Sequence, residues 1–402
     1  MDQKQKAALI DVFLMNPSSC RFDKPRKRKN PTMKLTAIET IPVRVPLKKG
    51  MTTKTAHGEH IDSPYVILRV HTNEGLIGLG EATVSPRWTG ETAKSCIDII
   101  ENLITPTLLG SDPTNITDAC SRMARAVKNN PFTKAAVEMA LWDLTGKSRN
   151  CPVYELLGGR VRPFIPIKMV VGAFELEKVR DLTQTFLDWG VQSLKVKVGL
   201  DMDADLARVH AVREMAGPDI SIGIDANGGW SWATAKQALS ELESLDILFA
   251  EQPIAPDHPT DLALLRQSTI IPIMADESIF TLQEAHLLTS LRACDLLSVY
   301  PGKHNGIQGT QAITHVAQAA GIQCSIGSNL ELGVGTAAMI QIAAAVPTIN
   351  SERFPADIIG PLYHETDLLK DSLQLGPSHA PIPTGPGLGV ELDDEKLQHW
   401  RA

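Results

Sequence analysis

Five short apolar segments that end in charged or phenolic residues constrain the fold of this chain more than any other feature. The polar ends are, in chain order, Lys195 and Lys197, Asp225, Glu251, Asp276 and Tyr300. They recur at roughly 25–30 residues, the length of one strand–helix unit of a parallel barrel. Runs rich in Ile, Val and Leu between helical patterns are typical of strands buried on both faces. Because carboxyl ends of barrel strands meet at one mouth, the sequence predicts an active site there.

The periodicity predicts eight barrel strands and an α+β unit before them. The predicted barrel strands are residues 164–171, 193–198, 220–224, 247–251, 271–275, 295–300 and 322–326, with a short last strand near 357–359. The predicted elements of the first unit are strands at 35–45, 65–72 and 76–81, a long loop at 48–63 and helices at 91–109 and 115–127. We therefore expect four segments. These are a disordered extension (1–32), a capping domain (33–132), the barrel (133–360) and a C-terminal segment (361–402) that returns to the cap as a turn and strand.

Composition narrows the class of protein and of partner. A formal net charge of −7 argues against nucleic acid as a partner, because phosphate binding needs a basic field. The six cysteines are scattered without a CxxC spacing, which indicates reduced packing residues. No run reaches the ~18 apolar residues of a membrane span, so no membrane partner is expected and the cytoplasm is the default compartment.

The three acids predict a metal site. Asp225, Glu251 and Asp276 would bring hard oxygen ligands together without Cys or His, a set that selects Mg²⁺, or Mn²⁺, over Zn²⁺. The alternative is a structural network in which lysines pair with the acids. Three buried carboxylates in register repel one another and need a compensating cation, which favours the metal site.

Lys195 and Lys197 alternate along one strand, so both side chains are expected to point into the barrel. A nearby cation disfavours a second positive charge and so lowers the pKa of a lysine, which would let one of the two act as a base near neutral pH. Removing a proton α to a carboxylate makes an enediolate, whose doubled charge needs positive groups at its oxygens. The alternative of a solvated surface strand is disfavoured, because the flanking positions are apolar.

The ordered set Lys-x-Lys, Asp-x-Asn, Glu-Gln-Pro and Asp-Glu-Ser resembles the enolase superfamily, specifically its muconate cycloisomerase (mandelate racemase-like) subgroup. Ala-Leu-Trp-Asp-Leu at 140–144 and Pro-Gly-Leu-Gly at 386–389 are also similar. The resemblance implies an α/β fold, with an α+β capping domain over a (β/α)7β TIM-like barrel. It also implies one Mg²⁺ on the three acids, Lys197 as acid/base and Lys195 assisting at the carboxylate. A homo-oligomer acting on a small carboxylate follows from the same resemblance.

One position departs from the subgroup. Where its members usually carry a second catalytic lysine, in a segment similar to Lys-x-x-Lys-x-Gly-Gly, this chain has Tyr300, and Lys303 matches the outer lysine. Racemases and epimerases need a base on each face of the α-carbon, and a tyrosine with an ordinary pKa of about 10 is a poor base. Tyr300 could instead act as an acid or hydrogen-bond donor, or only pack. A bend at Pro301-Gly302 could also bring Lys303 inward.

Further candidates for substrate binding lie around the predicted mouth. Asn227 follows the first acid, and Glu331 matches a glutamate of muconate cycloisomerases, although it could simply cap the next helix. Lys168, in the first barrel strand, could meet an anionic substrate or pair with a strand-end acid. In the first unit, His57 and Trp88 lie in segments that resemble the family's two specificity loops.

Three functions fit these residues. The first is a muconate-cycloisomerase-like isomerase with Lys197 as its single base, and its close alternative is a single-base dehydratase of an acid sugar or hydroxy acid. The second is a racemase or epimerase of an amino-acid derivative, with Lys303 or Tyr300 as the second base. The third is a non-catalytic descendant, which the complete set of ligands disfavours.

Overall fold

The computed structural model describes residues 33–402, and the extension predicted for residues 1–32 lies outside that range. The strands are β1 (Leu35–Pro46), β2 (Thr53–Thr55), β3 (Gly58–His60), β4 (Asp62–Thr72), β5 (Ile77–Ala82), β6 (Phe164–Pro166), β7 (Met169–Val171), β8 (Ser193–Lys197), β9 (Ser221–Asp225), β10 (Ile247–Glu251), β11 (Ile273–Ala275), β12 (Leu296–Val299), β13 (Gln323–Ile326) and β14 (His379–Pro381).

The α-helices alternate with the barrel strands from residue 176 onward. They are α1 (Ala93–Ile99), α2 (Thr105–Leu108), α3 (Ile116–Ala126), α4 (Pro131–Arg149), α5 (Val153–Leu156), α6 (Leu176–Trp189), α7 (Met202–Ala216), α8 (Trp232–Leu242), α9 (Pro259–Gln267), α10 (Leu282–Leu291), α11 (Ile307–Ala319), α12 (Gly333–Ala345), α13 (Gly360–Tyr363) and α14 (Asp394–His399). A π-helical turn (Ile100–Ile104) separates α1 from α2, where a single helix was predicted. A 3₁₀ turn (Glu243–Leu245) follows α8. Within residues 33–402, no helix is long and apolar enough to cross a bilayer.

The first unit is a three-stranded antiparallel sheet in the order β1-β4-β5, and α4 packs against β4 and β5. Gly78 and Gly80 on β5 let the helix backbone come very close. A Cβ at Gly80 would lie 1.9 Å from the carbonyl oxygen of Ala136. Side chains of α4 belong to both the core under this sheet and the core of the barrel, so the helix is buried on nearly all sides.

Seven parallel strands form the barrel sheet in the order β7 to β13. The ring is closed by an extended segment at residues 355–357 that pairs too briefly to form a strand. Ala356 donates its N–H to Pro166 O at 2.8 Å, and the Asp357 N–H donates to Ile326 O at 2.9 Å. The eighth position is therefore filled slightly before the predicted strand at 357–359, with hydrogen bonds to both neighbours.

Three predicted elements differ from the structure for identifiable reasons. Residues 164–171 form two strands, because β6 pairs antiparallel with β14 whereas β7 pairs in parallel with β8. The predicted loop 48–63 contains the hairpin of β2 and β3, which is called the lid hairpin below. The strand predicted within 383–394 is absent from this part of the described chain. These residues instead pack around Gly387, whose N–H donates to Cys151 O at 3.0 Å.

Candidate active site

Strand register brings the predicted polar ends to one mouth of the barrel. Lys197 pairs with Asp225 across β8 and β9, and Glu251 pairs with Asp225 across β9 and β10. Glu251 also lies opposite Met274 of β11, which places Asp276 just beyond the next strand end. Adjacent strands of a sheet lie about 4.8 Å apart, so these side chains are forced together.

Lys195 lies at the centre of a buried cluster of three carboxylates. Its Nζ is 2.6 Å from Asp357 Oδ2, 2.8 Å from Glu251 Oε2 and 3.2 Å from Asp225 Oδ2. Desolvation opposes its charge, but these three carboxylates outweigh it and hold the pKa of Lys195 well above the ordinary value. Lys195 is therefore a fixed positive charge.

Lys197 is held by fewer partners and faces the cavity. Its Nζ donates to Asp225 Oδ2 at 2.6 Å and to Asn227 Oδ1 at 3.0 Å. Asn227 adopts the left-handed backbone conformation, with φ of 45°, and its N–H donates to Asp225 Oδ1 at 2.9 Å. Strand β8 thus carries one locked lysine and, two residues on, one that a ligand can reach.

The three predicted metal ligands each face a lysine. Asp225 and Glu251 bond Lys195 or Lys197, and Asp276 bonds Lys303. Across residues 33–402, no three acidic, histidine or cysteine side chains converge as a metal-binding group in these positions. Burial raises the pKa of Glu251 to about 7, Lys195 opposes that rise, and the carboxylates of Asp225, Asp276 and Asp357 add to it.

The crowded carboxylates can be compared with the ligands that a divalent cation requires. The donors are hard carboxylate oxygens on three neighbouring strand ends, and their mutual repulsion is only partly offset by lysines. Those are the donor type and the charge that Mg²⁺ prefers, so the chemistry of the set fits the ion, and the three carboxylates, now paired with lysines, would have to converge to hold it.

Asp357 was missed by the sequence analysis although it lines the cavity. Its carboxylate binds Lys195 and lies 3.2 Å from Lys168 Nζ, and these lysines hold the pKa of Asp357 below its usual range despite burial. The structure puts Asp357 at the end of the extended segment 355–357, the position that the other strand-end acids occupy. The sequence pattern put it at the start of the predicted strand 357–359 instead, so the strand-end rule did not select it.

A cavity of about 320 Å³ opens above the two lysines, at the low end of the range for small-molecule sites. Among the predicted residues, Lys195, Lys197, Asn227, His57 and Trp88 line it. The cap contributes the lid hairpin and residues 83–88, so the cavity is walled by both the barrel and the first unit.

The lid hairpin is docked on the barrel through close backbone contacts. Ala173, in the loop after β7, donates its N–H to Lys54 O at 2.7 Å. A Cβ at Gly229, in the loop after β9, would lie 2.9 Å from Ala56 Cβ. The hairpin therefore covers the mouth at the ends of β7 and β9.

Tyr300 is completely buried and its hydroxyl has no protein partner within residues 33–402. Its ring centroid lies 6.4 Å from that of Trp88 and 6.5 Å from that of Phe132. Burial, reinforced by the carboxylates of Asp276, Glu331, Glu277 and Glu251, raises the pKa of Tyr300 well above 10. The phenol therefore stays protonated, and Tyr300 is not among the residues that line the cavity.

The other three predicted residues lie behind the cavity wall. Lys303 donates to Asp276 O and Ser298 O, both at 2.9 Å, and is fully buried. Glu331 accepts from Ser328 Oγ at 2.6 Å, and burial raises its pKa to about 7. Lys168 donates to Pro355 O at 2.6 Å. None of the three lines the cavity.

Comparison with known families covers nearly all of the described chain. Residues 36–158 match the mandelate racemase / muconate lactonizing enzyme, N-terminal domain. Residues 178–396 match the enolase C-terminal domain-like family.

Similar proteins carry two kinds of name. The chain is 34% identical to a chloromuconate cycloisomerase of Cupriavidus pinatubonensis, over 92% of this chain and 99% of that protein. It is 33% identical to an N-succinyl-L-Arg/Lys racemase of Bacillus cereus, over 91% and 97%. The crystal structure of a muconate lactonizing enzyme from Pseudomonas fluorescens complexed with muconolactone superposes with a TM-score of 0.88 at 31% identity, covering 92% of this chain and all of that one.

Proposed function

We propose that this chain, which belongs to the mandelate racemase/muconate lactonizing enzyme family of the enolase superfamily, moves a proton α to a substrate carboxylate with Lys197 as its only base. The observation that carries the proposal is the unequal pair on β8. Both side chains line the cavity, but Lys195 is bound by three carboxylates, whereas Lys197 has one carboxylate and one amide partner. On this proposal Lys195 neutralises charge at the carboxylate and Lys197 transfers the proton.

Mg²⁺ would be held by Asp225, Glu251 and Asp276. When bound, the ion supplies positive charge at the carboxylate oxygens, where the charge of an enediolate develops. Lys195, whose pKa is raised, stays charged through the reaction and orients two of these ligands. Lys303 orients the third ligand, Asp276, through its ion pair with that carboxylate.

Tyr300 supports a single-base reaction over racemisation. A racemase needs a second base on the opposite face of the α-carbon, and the phenol at this place stays protonated because its pKa is raised. Lys303 is bound to Asp276 and to two carbonyl groups, so it is not free to serve. A cycloisomerase, like the relative from Cupriavidus pinatubonensis, fits this arrangement better than a racemase, like the relative from Bacillus cereus.

A dehydratase acting on a hydroxy acid is the second candidate, and the polar cavity wall favours it. The buried hydroxyls of Thr53 and Thr83 line the cavity and have no protein partner within residues 33–402. Ser85, Ser328 and Asn329 continue the same wall. Such a surface suits a substrate with several hydroxyl groups, because unpaired buried donors and acceptors are costly.

A screen of carboxylic acids with Mg²⁺ separates these reactions. Formation of a 2-keto acid identifies a dehydratase, and a change of optical rotation without keto acid identifies an isomerase whose product NMR then distinguishes lactone from epimer. In D₂O, a single-base enzyme does not make the epimer, so deuterated epimer would contradict the proposal. Lys197→Ala should abolish every activity found, and retention of activity would identify a different base.

We further propose the division into cap (33–132), barrel (133–360) and C-terminal segment (361–402), and a cytoplasmic homo-oligomer without a nucleic-acid or membrane partner. The return of the chain end to the first unit supports the division, because Ala402 donates its N–H to Pro42 O at 2.9 Å. Helix α4 contributes side chains to both cores, so the boundary between cap and barrel at residue 132 is the one that most needs a test. Limited proteolysis near that residue tests it most directly.

A further inference from the structure

A continuous chain of hydrogen bonds connects the tip of the lid hairpin to Lys197. His57 Nε2 lies 3.3 Å from Glu277 Oε1, and Asn227 Nδ2 donates to the same oxygen at 2.9 Å. Asn227 Oδ1 accepts from Lys197 Nζ at 3.0 Å. His57 belongs to the cap and the other three residues to the barrel mouth, so this chain, called the relay below, crosses between the two.

The chemistry of the relay determines how its middle residue is oriented. A carboxylate only accepts and an ammonium only donates, so the Asn227 amide must turn its nitrogen to Glu277 and its oxygen to Lys197. Glu277 Oε2 has no protein partner within the described residues, so this carboxylate is positioned by His57 and Asn227 alone. A change at His57 or at Asn227 therefore alters the hydrogen bond that Glu277 makes with the other residue.

The tip of the hairpin is itself ordered by several contacts. His57 donates its N–H to Thr55 Oγ1 at 3.0 Å, and Arg87 donates to the His57 carbonyl oxygen. The Trp88 ring meets the His57 ring edge-on, with centroids 6.3 Å apart. When the hairpin is closed, the imidazole is consequently delivered to Glu277 in a defined position.

We infer that His57 is a positioning residue that couples closure of the lid hairpin to the orientation of Lys197. With the hairpin closed, His57 holds Glu277, Glu277 holds the Asn227 amide, and the amide oxygen aims the ammonium or amine of Lys197. With the hairpin open, Glu277 loses one of its two partners and the amide is less constrained. The catalytic consequence rests on the proposed role of Lys197 as the base, whereas the mechanical coupling does not.

Hydrogen–deuterium exchange of the full-length chain in Mg²⁺ buffer tests the coupling without a substrate. In peptides covering residues 53–60, His57→Ala should raise the exchange rate about tenfold or more, the effect of losing one hydrogen bond to a charged group. Lys197→Met should raise it several-fold as well, although Lys197 makes no hydrogen bond to the hairpin. Coupling between two sites is reciprocal, so loosening one end must loosen the other. An unchanged hairpin in Lys197→Met would overturn the inference.

The double variant and a matched control exclude general loosening. If one relay carries both effects, His57→Ala/Lys197→Met exchanges no faster than His57→Ala alone, whereas independent effects multiply and contradict the relay. Asn329→Ala is the control. It lines the same cavity and removes another barrel-to-cap hydrogen bond, from Asn329 Nδ2 to Thr83 O at 2.9 Å, without touching the relay. Its hairpin should exchange at the wild-type rate, and faster exchange would overturn the inference.

Kinetics with an acid found in the carboxylate screen test the consequence for the base. His57→Ala should lower kcat about tenfold or more and change KM less than threefold, and His57→Gln, whose amide can still donate to Glu277, should recover part of kcat. A raised KM with unchanged kcat would make the hairpin only a steric cover and would overturn the positioning role. If no acid is turned over, the proposed function fails, and the exchange rates still decide the coupling.

Discussion

Replacing Tyr300 with phenylalanine should separate stability from activity. The Tyr300 hydroxyl is buried and has no protein partner within residues 33–402, so the folded protein bears its desolvation without a compensating bond. Such a penalty is about 1–3 kcal/mol. Tyr300→Phe should therefore leave the free energy of unfolding unchanged or raise it by about 1 kcal/mol, measured by urea denaturation.

Activity should respond in the opposite direction. The raised pKa of Tyr300 keeps the phenol protonated, so toward a substrate that reaches it the hydroxyl acts as a neutral hydrogen-bond donor and not as a base. Removing one such donor typically costs a factor of about 10²–10³ in kcat. Steady-state kinetics on the acid found in the screen would show this loss. Full activity in Tyr300→Phe would reduce the residue to a packing role.

Tyr363→Phe is the matched control for stability. Tyr363 is equally buried, but its hydroxyl donates to Val170 O at 2.9 Å and accepts from Val170 N at 3.0 Å. Its loss should cost about 1–3 kcal/mol because a buried backbone N–H is left unpaired. If Tyr300→Phe destabilised the protein as much as Tyr363→Phe, the reasoning about the unpartnered hydroxyl would be refuted.

Three further outcomes follow from the structure. Burial lowers the pKa of His364 from 6.5 to about 4. The neutral imidazole therefore makes its full contribution to the free energy of unfolding above pH 6.5. That free energy falls by about 3 kcal/mol as the pH drops toward 4, because the unfolded chain binds the proton first. Denaturation of His364→Gln at several pH values should show a flatter profile in that window, and an unchanged profile would place the titration elsewhere. Gly80→Ala should destabilise by about 3 kcal/mol or more in thermal melts, because its Cβ would overlap the carbonyl oxygen of Ala136. Gly75→Ala meets no atom within 4 Å but places a Cβ at a φ of +79°, so it should cost only the roughly 1–2 kcal/mol of that backbone strain. Equal losses would contradict the overlap. Chelation with EDTA should abolish activity and Mg²⁺ should restore it, while Asp225→Asn should resist restoration at ordinary Mg²⁺ concentrations; activity that survives chelation would refute the metal site.

The repeat of strand ends was readable from sequence because it depends on local pattern and topology. Strands β8 to β13 match their predicted positions to within about two residues. Once parallel strands form a closed sheet, their carboxyl ends must meet. The spacing of the strand ends along the sequence is therefore enough to predict that Lys197, Asp225 and Glu251 lie together.

The partners of those residues were decided only by tertiary packing. His57 and Glu277 are 220 positions apart, and Lys195 and Asp357 are 162 apart. No periodicity links such pairs. The same holds for Lys303, whose sequence position matched an outer lysine of the family but whose burial against Asp276 makes it a support for that carboxylate.

Sequence by itself determined the fold class, the mouth of the barrel and the residues that carry charge there. The tertiary structure decided which lysine is locked and which is accessible, that the segment 48–63 is a hairpin docked on the barrel, and that Tyr300 is a buried donor. The physical reason is the distance along the chain over which each interaction acts. Backbone hydrogen bonding and side-chain periodicity act over a few residues, whereas desolvation and the pairing of buried charges depend on every element packed around a group.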